Sequence, residues 1–155
     1  ICICICICKN RFVPLLERRI KHPDANVRQY LLSWVKLLES IPNINLIEYL
    51  PQLLEGLFLM LGDTTAEISR EATTTLSGFL GDLYICICNF LDHVGKVDFG
   101  TLSQILVYYC TNDIDEYAHY HALGWLLQVV YLYLYLYLYL YLYLHLSSFS
   151  SFSSS

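Results

Sequence analysis

The amino-acid sequence predicts an all-α protein. Between residues 9 and 130 the apolar side chains recur at helical spacing almost throughout, and helix start signals precede several of these runs. The clearest run places apolar residues at i, i+3, i+4, i+7, i+8 and i+11: Leu50, Leu53, Leu54, Leu57, Phe58 and Leu61. Similar runs extend from Val27 to Leu38, from Leu102 to Cys110 and from Ala118 to Val129. Each predicts an amphipathic helix with one buried face.

The start signals consist of a capping side chain followed by a carboxylate three residues later. Three pairs have this pattern, namely Asn45 with Glu48, Thr64 with Glu67, and Asp113 with Glu116. They predict helix starts after residues 45, 64 and 113.

The predicted helices form pairs that recur along the chain. We expect hairpins near residues 9–40, 45–82 and 98–130, with an insertion at 83–97. Pro14 and Pro51 are 37 residues apart, and Asp24 and Asp63 are 39 apart. A helix pair that repeats at about 40 residues is typical of HEAT and armadillo arrays, in which neighbouring hairpins bury each other's apolar faces. The predicted fold is therefore a HEAT/armadillo-like α-solenoid of about three helical hairpins.

Two finer features of such arrays are also considered. Pro51 is placed inside the first helix of its hairpin, where a proline is expected to bend the helix. Many HEAT units also carry a turn Asp and an Arg six residues later, which build a polar ladder. Asp63 is followed at that distance by Ser69, and Arg28 is preceded by His22. No hairpin holds both partners, so no ladder is predicted.

Both ends of the chain are low-complexity sequence. Residues 1–8 repeat Ile-Cys, residues 131–144 repeat Tyr-Leu, and residues 147–155 contain only Ser and Phe. Strict two-residue alternation is the translation of a six-base DNA repeat, so both ends are expected to carry no fold information. The chain lacks an initiator Met and is interpreted as a fragment. The Tyr-Leu tract has the period of a strand and is predicted to aggregate, with a prolonged last helix as the alternative.

The charge distribution excludes a nucleic-acid binder. The net charge is −5, but residues 1–28 carry +4 and the remaining 127 residues carry −9. No basic stripe runs along the chain, as a nucleic-acid interface requires. The basic cluster at residues 9–28 suits anionic lipid or an acidic partner helix, but a solvated face of the first hairpin is the preferred interpretation.

No pattern indicates an enzyme, a cofactor site or a metal site. The sequence has no Ser-His-Asp spacing, phosphate loop or His-Glu-x-x-His motif, and partner-binding residues cannot be assigned from it. His119 and His121, near Cys110, are two positions apart on a helix and point in different directions, so a helix surface is predicted there. The seven cysteines fit a reduced, intracellular protein. Trp34 and Trp125 are predicted to be core residues.

The segment from Leu126 to Leu146 is long enough to cross a bilayer, which takes about 20 residues. Tyrosine at every second position is a poor lipid-facing residue, because its hydroxyl belongs at the membrane interface. A membrane-anchored helical protein is therefore the alternative interpretation of the function.

Several phrases of the sequence are more specific than a generic helical repeat. They are Arg28 to Trp34 (RQYLLSW), Ser40 to Phe58 (SIPNINLIEYLPQLLEGLF), Leu61 to Asp63, Val97 to Gly100 and Ile105 to Val107. With these phrases, residues 10–130 closely resemble the Vac-fourteen family, a long HEAT-repeat scaffold of vacuole morphology. The segment at residues 81–96 looks longer than the family's link, and the family pattern stops near Val130.

The resemblance implies a scaffold without catalytic activity and without cofactors. It implies a PIKfyve-type lipid kinase and a Sac-domain phosphatase as partners, which make and degrade phosphatidylinositol 3,5-bisphosphate. It also implies peripheral association with the cytoplasmic face of endosomal and vacuolar membranes, and homo-oligomers of the full-length protein. The family's C-terminal oligomerising and phosphatase-binding region has no counterpart in these 155 residues, so that activity is not carried over.

Overall fold

The computed structural model describes residues 2–41, 44–88, 97–112 and 115–152, and all regular structure in these ranges is helical. Within these ranges six α-helices follow in order: α1 (Cys2–Arg19), α2 (Ala25–Glu39), α3 (Leu50–Leu61), α4 (Ala66–Cys88), α5 (Phe99–Thr111) and α6 (Glu116–Phe152). A short 3-10 turn, Ile47–Tyr49, leads into α3. The predicted all-α class is confirmed.

The helices stack as three antiparallel hairpins in two layers. Helices α1, α3 and α5 form one layer, and each packs against the second helix of its own hairpin. Helices α2, α4 and α6 form the other layer, with α4 between α2 and α6. Each hairpin thus covers the apolar face of its neighbour, which is the arrangement of an α-solenoid.

The core is one continuous cluster centred on α3, whose side chains Leu50, Leu53, Leu54 and Leu57 are fully buried. The end of α1 approaches α3 closely at Gly56. A Cβ atom at that position would overlap with the side chain of Ile20. Glycine is therefore required at residue 56 by the spacing of the first two hairpins.

Pro51 lies in the first turn of α3, not inside a longer helix. A proline is tolerated there because the first N–H groups of a helix have no intrahelical acceptor. The expectation that Pro51 bends the helix was wrong, since the helix begins only at Leu50.

Three of the helix starts depend on side-chain caps. Asp24 accepts a hydrogen bond from the backbone N of Asn26 at 2.8 Å, and Asp98 accepts one from Thr101 at 3.0 Å. The cap predicted at Asp113 lies outside the described residues. Asp115 accepts from the backbone N of Ala118 at 2.9 Å and caps α6.

The helices cross the boundaries that were drawn around the low-complexity ends. Helix α1 begins at Cys2, and α6 continues through the Tyr-Leu tract to Phe152. Helix α4 extends to Cys88, into the predicted insertion, whose residues 89–96 lie outside the described part of the chain. A formed helix propagates at little cost through residues such as Leu, so the helical alternative for the tract is the one adopted. The division into residues 1–8, 9–130 and 131–155 stays a proposal.

Candidate interaction surfaces

A buried ion pair joins the turns of the first two hairpins. The Nε atom of Arg28 donates to Oδ2 of Asp63 at 2.6 Å, and their side chains are only 17% and 3% exposed. Nη1 of Arg28 donates to the carbonyl oxygens of His22 at 2.9 Å and Pro23 at 2.6 Å. Burial alone would raise the pKa of Asp63, but the hydrogen bonds from Arg28 and the backbone N of Thr65 outweigh it and lower the pKa.

This pair corrects the expectation about the polar ladder. No single hairpin holds both partners, as the sequence indicates, but Asp63 of the second hairpin forms an ion pair with Arg28 of the first. The contact therefore joins two hairpins, and the residue spacing within one hairpin does not predict it.

The predicted basic cluster is divided by its contacts. Lys21 reaches Glu55 of α3 at 2.7 Å, and Arg28 is held by Asp63. Arg18 and Arg19 are exposed on the last turn of α1, where cations complement the helix dipole. The geometry favours the interpretation of a solvated, partly paired face.

The two tryptophans have different environments. Trp125 is 3% exposed and lies 6.4 Å from Phe58 between ring centroids, so the prediction of a core residue was right. Trp34 is 47% exposed and lies edge-on to Phe12 at 5.3 Å between ring centroids, so the same prediction was wrong there. Trp34 is exposed because no further hairpin packs on that side of α2 among the described residues.

Exposed apolar side chains continue along α2. Tyr30, Trp34 and Leu37 form a stripe on this helix. Lys36 and Glu39 contact α4, and Arg28 contacts Asp63 in the turn before it. The helical rotation places the stripe about 180° from these three residues. The stripe is thus the end face of the stack, of the kind that a further hairpin covers in a solenoid.

A groove with a volume of about 410 Å³ lies between α4 and α6. Its lining is mostly apolar and aromatic: Ser77, Leu80, Tyr117, Tyr120, His121, Gly124, Trp125 and Gln128. His121 stands edge-on to Tyr117 at 4.7 Å between ring centroids, and burial lowers its pKa, which favours the uncharged ring. No neighbouring atom lies within 4 Å of a Cβ position at Gly124, so the groove is open there.

Two carboxylates lie on the opposite flank of α4. Oε1 of Glu39 is 2.8 Å from the Cβ position of Gly78, and Asp82 follows one turn later on the same side. Burial and the charge of Asp82 raise the pKa of Glu39, with Lys36 opposing them, and burial raises the pKa of Asp82. Within the described residues neither carboxylate has a cation within ion-pair distance, whereas Lys36 lies 3.3 Å from Glu71.

His119 and His121 diverge, as the helix period predicts. His119 lines a shallow cleft of about 250 Å³ with Cys110 and Glu116, whereas His121 lines the α4–α6 groove. Among the described residues no group of three or more His, Cys, Asp or Glu side chains is arranged to hold a metal ion.

The chain has close relatives among curated proteins. Over 121 residues, 78% of the chain, it is 35% identical to the protein named VAC14 homolog of Arabidopsis thaliana. It is 39% identical over 74 residues, 48% of the chain, to the VAC14 homolog of Schizosaccharomyces pombe. It is 36% identical over 73 residues, 47% of the chain, to "Vacuole morphology and inheritance protein 14" of Saccharomyces cerevisiae. The chain belongs to the Vac-fourteen family.

The chain spans only a small part of these Vac-fourteen relatives: 15% of the plant protein, 9% of the fission-yeast protein and 8% of the budding-yeast protein. No family model and no solved structure matches the chain.

The phrases that carry the Vac-fourteen resemblance are mainly packing residues. Leu50, Leu53, Leu54, Leu57 and Phe58 all lie in the Ser40–Phe58 phrase and are fully buried in the core. The groove and the carboxylate flank lie outside that phrase. His121 and Trp125 of the groove are predicted from the sequence only as a helix-surface residue and a core residue, and neither the groove nor the pair of carboxylates is predicted. Their signal in the sequence is a face of small residues on α4, including Ser77, Gly78 and Gly81, opposite Gly124.

Proposed function

We propose that the chain is a segment of a non-catalytic HEAT-repeat scaffold that supports assembly and regulation of a phosphatidylinositol 3,5-bisphosphate kinase/phosphatase complex. Membership of the Vac-fourteen family is the observation that carries this proposal. The name of the budding-yeast relative links that protein to vacuole morphology and inheritance. The three stacked hairpins suit such a role, because a solenoid offers a long surface for protein partners.

The proposed partners are a PIKfyve-type lipid kinase and a Sac-domain phosphatase, with peripheral association at the cytoplasmic face of endosomal or vacuolar membranes. Homo-oligomerisation of the full-length protein is part of the same proposal. Family resemblance supports these assignments.

Co-purification tests the scaffold function. The full-length protein, tagged and expressed at its natural level, is expected to bring down both the lipid kinase and the phosphatase. An unrelated HEAT-repeat protein with the same tag serves as the control. Intact, soluble protein that retains neither enzyme would refute the proposal.

A membrane anchor is the second candidate function, because α6 contains a stretch that is long and apolar enough to cross a membrane. The stretch Glu116–Tyr143 has a mean hydropathy of 1.5 over its most apolar window. Its first half, however, packs into the core as far as Leu132. Residues 133–146, of which Leu136 still packs partly against the core, measure about 21 Å as a helix, against about 30 Å of hydrocarbon in a bilayer. A full crossing therefore requires residues of α6 to leave the core.

Carbonate extraction separates the two candidates. A peripheral scaffold is released from membranes at alkaline pH, whereas an anchored protein stays in the pellet. Sequencing the transcript across codons 125–155 shows whether the Tyr-Leu tract is expressed. Extraction-resistant protein that contains the tract would favour the anchor.

A further inference from the structure

The surface formed by α4 and α6 combines three features within the width of one helix. The aromatic groove lies along one side of α4, where Leu80 lines it. The carboxylates of Glu39 and Asp82 lie on the other side, near Gly78. Helical rotation places Ser77 and Gly81 between the two, and a helix is only about 10 Å across.

The strip of α4 surface between the groove and the carboxylates carries only small side chains. Ser77 and Gly81 are exposed, and no neighbouring atom lies within 4 Å of a Cβ position at Gly81. A peptide backbone can therefore cross α4 here without meeting a large side chain.

The chemistry of the two flanks defines the occupant. The groove is lined by Tyr117, Tyr120 and Trp125, and its lining contains no Asp, Glu, Lys or Arg, so it suits an apolar side chain. Glu39 is partly desolvated and repelled by Asp82, with Lys36 opposing these effects, and Asp82 is itself partly desolvated. An additional cation from a partner would offset both the repulsion between the two carboxylates and their partial desolvation. This is the basis of charge complementarity at an interface.

We propose that this surface docks a segment of a partner protein that inserts an apolar side chain into the α4–α6 groove and places an Arg or Lys against Glu39 and Asp82. The proposal deepens the proposed scaffold function by giving the chemistry of one partner segment. It assigns the surface to a basic, apolar peptide segment of another protein.

Peptide selection on the 155-residue chain tests the proposal with a defined probe, a phage-displayed library of random dodecapeptides. The library is first depleted on a triple variant, Glu39→Gln, Asp82→Asn and Gly124→Leu. This variant keeps the Tyr-Leu tract, so peptides that adhere to the tract are removed. The remaining peptides are then selected on the natural chain, and the enriched ones are measured by fluorescence anisotropy.

The enriched peptides are expected to contain Arg or Lys together with a large apolar residue. Gly124→Leu fills the open part of the groove and is expected to weaken binding more than tenfold. Each carboxylate substitution is expected to weaken it by about threefold, as for solvent-accessible charge pairs, and added salt is expected to do the same. Glu17→Gln on α1 and Gln52→Leu on α3 are the matched controls, and they are expected to leave affinity unchanged.

Absence of any enriched peptide, enrichment of acidic peptides, or equal affinity for Gly124→Leu and the natural chain would each overturn the proposal. Circular dichroism of every variant verifies that the fold is intact. Failure here, with both enzymes still retained in the co-purification, refutes the docking surface alone. Loss of the enzymes in that experiment refutes the scaffold function itself.

Discussion

Arg28 and Asp63 lie 35 residues apart in the sequence and form a nearly buried ion pair with a 2.6 Å contact between the first two hairpins. The arginine also closes its own turn through two carbonyl oxygens. One side chain thus fixes both the shape of a turn and the position of the next hairpin.

Arg28→Ala is expected to lower the free energy of unfolding by about 3 kcal/mol, because it leaves the carboxylate of Asp63 buried without its cation. Lys21→Ala, which removes the half-exposed pair with Glu55, is the control and is expected to cost less than about 1 kcal/mol. Urea titration at pH 7 measures both. Equal losses for the two variants would contradict the role given to Arg28.

The same pair predicts a loss of stability in acid. The pKa of Asp63 is lower in the folded chain than in the unfolded chain. Its contribution is therefore fully present above the unfolded pKa, about 3.9, and is lost as the pH falls through the lower folded value. Unfolding measured from pH 6 to pH 2 is expected to show a smaller loss in Asp63→Asn than in the natural chain, because Asp98, whose pKa is also lowered, remains in the variant. Equal losses in the two chains would contradict the contribution given to Asp63.

The pKa shifts of Glu39 and Asp82 on folding have the opposite sign to that of Asp63. Their pKa values are raised on folding, so the stability linked to their protonated forms is present below the unfolded pKa and is lost as the pH rises through the folded value. Glu39→Gln is expected to stabilise the chain at pH 7 by about 0.5 kcal/mol or less, and the gain is expected to vanish near pH 3. Glu17→Gln serves as the control. A destabilised Glu39→Gln variant would contradict the assignment.

Two glycines provide a matched test of packing. A Cβ atom at Gly56 overlaps with Ile20, so Gly56→Ala is expected to cost about 2 kcal/mol through forced separation of α1 and α3. Gly124 lies in a helix with open space at its Cβ position, so Gly124→Ala is expected to stabilise the chain by about 0.5–1 kcal/mol. Thermal unfolding of both variants measures the difference. A loss at residue 124 similar to that at residue 56 would contradict the packing described for α3.

The sequence predicts the helices and their pairing well, because burial of one face imposes a period that the residues display directly, as at Leu50, Leu53 and Leu57. Contacts between hairpins are harder to predict. The pairing of Arg28 with Asp63 depends on how two turns stack, and no spacing within one hairpin encodes it. Trp34 has the same local pattern as Trp125, and only the presence of a neighbouring hairpin decides which one is buried.

The candidate surface was not predicted for a related reason. Ser77 and Gly81 look like ordinary helix residues in the sequence. Their position between an aromatic groove and two carboxylates appears only when α2 and α6 are placed on either side of α4. Family resemblance does not predict the surface either, since the sequence segments that carry it consist mainly of core residues.

The last prediction concerns the Tyr-Leu tract, which is helical in the structure. On a helix the alternation distributes Tyr and Leu around every side, and most of these side chains from residue 133 to residue 143 are exposed. A helix that is apolar on all sides requires a covering surface, so we expect the 155-residue chain to self-associate through this segment.

The shortened chain for comparison is defined by the core. Leu132 is 1% exposed and Leu136 packs partly against the core, so a chain ending at residue 137 keeps this packing, whereas one ending at residue 130 loses it. We expect the chain of 137 residues to be monomeric and stable, and the chain of 130 residues to be soluble but less stable by about 3 kcal/mol, as for loss of a buried leucine. Sedimentation velocity and urea titration measure these differences. The self-associated chain of 155 residues is expected to keep its helical far-ultraviolet spectrum without a thioflavin response. A thioflavin response with a β-type spectrum would instead show that the tract, once exposed to water, pairs as strands in the two-residue period of its sequence.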